Sequence, residues 1–232
     1  MRQTVTIYHG SRAIIDKPVF GVGNPHNDYG MGFYCTHEME LAKEWACTEE
    51  NSGYANQYEL DMTGLSLMHL SGADYNLLNW LAVLLNNRVF RISNDIATEG
   101  KAYLLDNFLP GSETFDVIIG YRADDSYFSF ANAFLNNALS LTQLEKAMHL
   151  GRLGEQTMLK SRKAFEQIRF IRFEPADREF YYPLRSASDM EARSAYRKER
   201  GIERAADSVY LIDILRERWD NNDTRIRRNI PG

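Results

Sequence analysis

Three short strand-like runs, far apart in the chain, each carry polar or aromatic residues at one end. The first ends in Tyr8-His9-Gly10-Ser11, the second covers residues 30–36 (Gly-Met-Gly-Phe-Tyr-Cys-Thr), and the third covers residues 155–159 (Glu-Gln-Thr-Met-Leu). Clefts that bind polar ligands are commonly lined by a few polar groups placed on rigid strands. The chain is therefore expected to fold around strands that bring these three segments together.

Short strands and amphipathic helical stretches alternate along the chain. The β-branched and alternating runs predict strands over residues 3–8, 33–36, 56–61, 115–121, 156–159 and 168–173. Helices are predicted after an N-cap at Thr36, over roughly 75–88 after an N-cap at Asp74, in two pieces within 126–150, and as one turn over 162–167. This mixture of elements predicts an α+β fold.

The composition changes near residue 187. Residues 189–228 are strongly charged, and apolar residues recur there at helical spacing, as in Ile212, Leu215 and Trp219. We therefore predict one domain over residues 1–186 and a C-terminal helical extension over residues 187–232 that packs on it.

Charge, cysteine content and hydropathy argue against three classes: basic nucleic-acid binders, metal-binding proteins and membrane proteins. The 232 residues carry a net charge of −5, which argues against a globally basic nucleic-acid binder. Cys35 and Cys47 have no neighbouring cysteine pair, and the histidines show no metal-ligand spacing, so no metal site is predicted. No apolar run approaches the ~18 residues of a membrane span, and the N-terminal residues lack a signal-peptide pattern. We expect a cytoplasmic protein that does not associate with a membrane.

The first two segments resemble a known superfamily. In order and chemistry, Tyr8-His9-Gly10-Ser11 and residues 30–36 resemble the first two motifs of the ADP-ribosyltransferases, in their His-Tyr-Glu branch. Further segments are similar to an uncharacterised bacterial family of this superfamily whose members often sit in toxin–antitoxin gene pairs: residues 28–34, Asn79-Trp80, Asn87-Arg88, 115–120 and Ala123-Asp124-Asp125. The resemblance covers roughly residues 4–175 and, more weakly, residues 209–216. It implies an ADP-ribosyltransferase-like split β-sandwich with flanking helices, and NAD as the cofactor.

The resemblance also implies roles for individual residues. His9 takes the place of the residue that binds the nicotinamide ribose, and Tyr34 that of the aromatic residue that stacks on nicotinamide. Gln156 stands where the branch has its catalytic glutamate. The implied catalytic residues are thus His9, Tyr34 and Gln156, and the implied cofactor-binding residues are His9, Gly10, Ser11, Gly32, Phe33, Tyr34 and Thr36.

The third segment leaves two alternatives open. Gln156 can hydrogen-bond a ribose hydroxyl, but an amide supplies neither a negative charge nor a base. Glu155 is adjacent and is expected to point to the opposite face of the strand, because strand side chains alternate. A one-residue bulge would exchange the two.

Two functions are compatible with this pattern. The first is an NAD-dependent ADP-ribosyltransferase, as a bacterial toxin, that modifies a protein or a nucleic acid and has a small antitoxin protein as a partner. The second is a non-catalytic NAD- or nucleotide-binding module on the same fold, which the glutamine at position 156 favours.

Overall fold

The computed structural model describes residues 3–123, 125–148, 154–200 and 208–226. Within these ranges seven strands form: β1 (Thr4–Ser11), β2 (Phe33–Cys35), β3 (Gly53–Asp61), β4 (Leu67–His69), β5 (Val117–Tyr121), β6 (Glu155–Leu159) and β7 (Ile168–Ala176). The same ranges contain eight helices: α1 (Met39–Ala46), α2 (Leu77–Asn87), α3 (Asp95–Phe108), α4 (Asp125–Leu135), α5 (Leu141–Met148), α6 (Arg162–Glu166), α7 (Arg178–Arg200) and α8 (Leu211–Glu217). The prediction of an α+β fold is confirmed.

The described residues divide into two compact units. The first unit takes its residues from 1–69, 112–120 and 154–188, and the second from 70–111, 121–153 and 189–232. From residue 189 onward, the described residues belong to the second unit. A domain boundary at 186/187 stays a prediction.

Two sheets and the core between them make up most of the first unit. The first sheet has the strand order β1-β3-β7, and both of its pairings are antiparallel. The second sheet has the order β2-β6-β5-β4, with β2 and β6 antiparallel and β4 and β5 parallel. Both sheets contribute buried side chains to one apolar cluster: Ile7, Tyr58 and Leu60 come from the first, and Cys35, Val117 and Leu159 from the second.

Among the described residues, one isolated backbone bridge joins the two sheets. The amide of Tyr8 donates to the carbonyl of Thr36 at 2.8 Å, and the amide of Thr36 donates to the carbonyl of Tyr8 at 2.9 Å. β1 and β2 are therefore neighbours just before His9 and just after Tyr34. This bridge brings the first two sequence segments to the same place.

Helix α1 packs on the face of the first sheet that points away from the apolar cluster. It approaches so closely that a Cβ at Gly10 would lie 2.0 Å from the carbonyl oxygen of Ala42 and 2.8 Å from the amide nitrogen of Ala46. A Cβ at Gly53, on the neighbouring strand, would lie 2.5 Å from the carbonyl oxygen of Ala46. Glycines at these two positions are what allow the helix and the sheet to touch.

Buried asparagines connect the helices of the second unit to its C-terminal segment. Asn76 caps α2, where its side chain accepts hydrogen bonds from the amides of Leu78 and Asn79. The side-chain amides of Asn76 and Asn79 both donate to Oδ1 of Asn221, each at 2.9 Å. Helix α8 buries Leu211, Ile214 and Leu215, so its apolar side chains contribute to this unit's core.

Several details of the sequence-based elements need correction. The N-cap of α1 is Glu38 rather than Thr36, and the N-cap of α2 is Asn76 rather than Asp74. Strand β4 and helix α3 were not predicted, and α7 starts at Arg178, well before residue 189.

In the part of the chain that the structure describes, no helix is long and apolar enough to cross a membrane.

The packing of α1 on β1 predicts a large effect of Gly10→Ala. A methyl group at this position meets backbone atoms, which cannot rotate away, so we expect a loss of about 1–3 kcal/mol in the free energy of unfolding. Urea unfolding of the purified protein measures this loss. Thr4→Ala, at an exposed position at the start of the same strand, serves as the control and should change the free energy by no more than about 0.5 kcal/mol. Equal stabilities for the two variants would contradict the close packing.

Candidate functional site

The three candidate residues lie on adjacent strands. His9 is near the end of β1, Tyr34 is the middle residue of β2, and Gln156 is the second residue of β6. β2 occupies the central position, bridged to β1 on one side and paired with β6 on the other, where Tyr34 lies opposite Met158.

His9 is held against the backbone of β2. Its Nδ1 lies 2.6 Å from the carbonyl oxygen of Tyr34, and its ring centroid lies 4.3 Å from that of Phe33. A carbonyl oxygen can only accept, so Nδ1 carries the proton, and in the neutral ring Nε2 is left as an acceptor. Burial lowers the pKa of His9 from its ordinary value, while the hydrogen bond to Tyr34 opposes this shift and raises the pKa. The geometry favours a neutral imidazole with one acceptor nitrogen.

Tyr34 is fixed through its hydroxyl. The hydroxyl group donates to the carbonyl oxygen of Gly30 at 2.6 Å and accepts from the amide of Tyr29 at 3.0 Å. The rings of Tyr29 and Tyr34 are stacked, with an interplanar angle of 27° and centroids 6.4 Å apart. The orientation of the Tyr34 ring is thus set by the loop that precedes β2.

Gln156 is tied to the same loop. Its Nε2 donates to Oδ2 of Asp28 at 2.8 Å, and only 4% of Gln156 and 7% of Asp28 are exposed. Glu155, the alternative third residue, is half-buried and faces the other way: its Oε1 lies 3.0 Å from Nε2 of His69 on β4. Gln156 is thus linked to the loop that precedes β2, whereas Glu155 is linked to β4, and the choice between them as the third site residue stays a prediction.

Strand alternation separates the three side chains into two groups. Tyr34 lies opposite Met158, and Gln156 is two residues from Met158, so Tyr34 and Gln156 project from the same face. The His9 ring instead contacts Phe33, which packs against the apolar cluster between the sheets. The structure brings His9 to the backbone of Tyr34 and does not place it on the face that carries the Tyr34 ring. That all three line one cleft stays a prediction.

Two of the predicted cofactor-binding residues have clear packing roles. Gly10 is required by the approach of α1, as described above. At Gly32 a Cβ would lie 2.2 Å from the sulfur of Met158 and 2.7 Å from the carbonyl oxygen of Leu159, so β6 requires glycine there. Their contact with a cofactor stays a prediction.

The other predicted cofactor-binding residues take part in local hydrogen bonds and ring contacts. Ser11 donates through Oγ to the carbonyl oxygen of Ala13 at 2.6 Å, and the hydroxyl oxygen of Thr36 accepts from the amide of Glu38 at 3.2 Å. Phe33 adds an edge-on contact with Tyr58 to its contact with His9. The two hydrogen bonds fix the backbone at the C-terminal ends of β1 and β2.

Sequence reasoning missed Asp28 and Asn56. Asn56 is fully buried, and its side chain donates to the carbonyl oxygen of His9 at 3.1 Å and to Oγ of Ser11 at 2.9 Å, while accepting from the amide of Ile15 at 3.0 Å. It shares its face of β3 with Tyr58 and Leu60, so a polar residue on the apolar side of an alternating strand was the available signal. Asp28 lies within residues 28–34, a segment that the resemblance included without giving this residue a role.

The cysteines are buried, and the structure offers no metal site in the ranges it describes. Within those ranges no group of three or more histidine, cysteine, aspartate or glutamate side chains could hold a metal ion. Cys35 and Cys47 are both free thiols, and burial raises the pKa of each.

Asp124, also in the motif similar to the bacterial family, lies outside the described residues.

A comparison with protein families places the chain. A family model described as protein of unknown function DUF3990 matches residues 5–170, which is more than half of the chain. The chain belongs to the DUF3990 family. The matched range contains His9, Tyr34, Gln156 and Asp28, and it ends within β7. No curated protein and no solved structure matches the chain.

The environment of His9 predicts a pH dependence for this DUF3990 protein. Because the folded pKa lies below the ordinary value of 6.5, the unfolded state binds more protons between these two pKa values. The stabilisation is complete above the unfolded pKa and is lost as the pH falls through the folded pKa. We expect His9→Asn to reduce the decline in unfolding free energy between about pH 7.5 and pH 5. Urea unfolding across this range measures it.

Thr4→Ala, at an exposed position of the same strand, removes no titratable group and supplies the control. It should leave the slope of unfolding free energy against pH as in the wild type. An unchanged slope in His9→Asn would show that the neutral form of His9 does not contribute to folding.

Proposed function

We propose that the chain is an NAD-dependent ADP-ribosyltransferase with an ADP-ribosyltransferase-like split β-sandwich fold. The observation that carries this proposal is the meeting of the three sequence segments at β2. His9 binds the carbonyl group of Tyr34, the loop over residues 28–30 binds the hydroxyl group of Tyr34, and Gln156 binds Asp28 of that loop.

The arrangement of the first unit supports the proposed fold. Two sheets enclose one apolar cluster and touch through the Tyr8–Thr36 bridge, and α1 follows β2 directly. The C-terminal end of β1 carries His9 and Ser11, whereas its centre carries the buried Ile7. This is the distribution expected when a polar ligand binds where two sheets part.

The donor and acceptor groups of the site suit a nicotinamide ribose. Nε2 of His9 is an acceptor and can receive the hydrogen of a ribose hydroxyl group. The Tyr34 ring offers a flat surface for a nicotinamide ring, and its bonds to the loop hold that surface in place before a ligand arrives. Oε1 of Gln156 points away from its bond with Asp28 and is a second acceptor.

When bound, NAD+ would supply the ADP-ribosyl group, by cleavage of its bond to nicotinamide with developing positive charge on the ribose. The protein's part is to hold the ribose and the nicotinamide ring and to place acceptor oxygens and nitrogens near the developing charge. The acceptor group of the target would form the new bond to the ribose carbon, nicotinamide would leave, and the proton of the acceptor group would pass to solvent.

In the cell, this activity would be that of a bacterial toxin acting in the cytoplasm. The target is a macromolecule, either a protein or a nucleic acid, and a small antitoxin protein would be the regulatory partner. These proposals rest on the resemblance of residues 28–36 and the other motif segments.

A second candidate function is a non-catalytic NAD- or nucleotide-binding module. The observation that favours it is the burial of Gln156, whose neutral amide is already engaged by Asp28. Such a module would bind NAD+ without consuming it, and this difference separates the two candidates.

Incubation with labelled NAD+ and cell lysate tests the transferase proposal. We expect label to appear on a macromolecule, and Tyr34→Ala to weaken NAD+ binding by ~1–3 kcal/mol, because an aromatic stacking surface is lost. Calorimetry measures the binding. Tyr34→Phe is the matched control: it keeps the ring, loses only the hydroxyl bonds to the loop, and should bind NAD+ more tightly than Tyr34→Ala.

The outcomes separate the candidates. Binding without transfer or hydrolysis supports the binding module. A folded Tyr34→Ala protein with wild-type affinity contradicts the stacking role, and a wild type that neither binds nor consumes NAD+ contradicts both candidates.

A further inference from the structure

The hydrogen bond between Gln156 and Asp28 determines which end of the Gln156 amide is available. Nε2 of Gln156 donates to Oδ2 of Asp28 at 2.8 Å, across 128 positions of sequence. A carboxylate oxygen accepts and does not donate, so the NH2 group must face Asp28. Oε1 is therefore the end of the amide that remains able to accept a further hydrogen bond.

Burial strengthens this pairing. Only 7% of Asp28 and 4% of Gln156 are exposed, so water does not compete effectively for either group. Hydrogen bonds with an ionised partner are shorter and stronger than neutral ones, and local low polarity increases their strength. The negative charge of Asp28 draws the amide hydrogens and so increases the negative charge on Oε1.

The segment that carries Asp28 also holds Tyr34. The next two residues, Tyr29 and Gly30, provide the amide and the carbonyl that bind the Tyr34 hydroxyl. Gly30 has φ +87°, a backbone conformation that glycine adopts readily and other residues rarely do. Three consecutive residues thus orient two candidate site residues from different strands.

We infer that Asp28 is a positioning residue that turns Oε1 of Gln156 toward the ribose and gives the neutral amide part of the negative character of a carboxylate. This inference rests on the proposed transferase function. It accounts for a glutamine at the position of the superfamily's glutamate, because the charge then lies one hydrogen bond away, on Asp28.

Single variants at the two positions test the inference first. Asp28→Asn keeps the size of the side chain and removes the charge, and we expect NAD+ consumption to fall about ten- to hundredfold, as for a lost hydrogen bond to a charged group. The fall should appear in kcat more than in KM, because the charge matters most in the transition state. Gln156→Ala gives the rate without any acceptor at this position.

The double variant, Asp28→Asn with Gln156→Glu, is the most discriminating test. Gln156→Glu alone places two carboxylates at the separation now spanned by a hydrogen bond, so its melting temperature should fall. In Asp28→Asn with Gln156→Glu the donor and acceptor are exchanged, since the new amide at position 28 would donate to the new carboxylate at position 156. We expect both the melting temperature and the NAD+ consumption of the double variant to recover above those of the single variants.

Asp16→Asn is the control, because Asp16 is an exposed aspartate in the same unit. It should retain wild-type consumption. If the wild type consumes NAD+ and Asp28→Asn has the same kcat, this inference alone is overturned. The same follows if the double variant exceeds neither single variant in NAD+ consumption. A wild type that neither binds nor consumes NAD+ overturns the proposed function, and this inference falls with it.

Discussion

The paired backbone hydrogen bonds between Tyr8 and Thr36 are the constraint on which the candidate site depends. They are the only bridge outside the named strands of the described residues, and they join a sheet built on β1 to a sheet built on β2. The bridge aligns the backbones of β1 and β2, and the bond from Nδ1 of His9 to the carbonyl oxygen of Tyr34 adds a second link between them. The other features of the site lie beside these two adjoining strand ends. One of them is the close approach of α1 to Gly10.

Buried polar side chains then give this junction a single geometry. Asn56 binds the chain on both sides of Gly10 through His9 and Ser11, and Asp28 binds Gln156. A buried polar group without a partner costs free energy, so each of these bonds disfavours other arrangements of the loops. The site is consequently formed by segments that would have little order of their own, held on strands that are fixed by the apolar cluster.

The sequence predicted the strands and the position of the three segments better than it predicted side-chain orientation. Alternation and β-branched residues locate β1, and short apolar or aromatic runs locate β2 and β6, because these signals are local. The bond between Asp28 and Gln156 joins residues 128 positions apart, and no local pattern encodes such a contact. The N-cap of α2 was misplaced for a related reason: Asp74 and Asn76 are both good caps, and the choice of Asn76 depends on its packing beside Asn79 and Asn221.

Amide hydrogen exchange with and without NAD+, followed by mass spectrometry, tests the central claim most directly, because it locates the ligand without requiring turnover. If NAD+ binds at the junction of β1, β2 and β6, exchange should slow in the loop over residues 28–32, whose backbone lies outside the strand ladders. Asp28 and Gly30 should report it together, since they hold Gln156 and Tyr34. Unchanged exchange over residues 28–32 at saturating NAD+, or slowing confined to the second unit, would contradict the account.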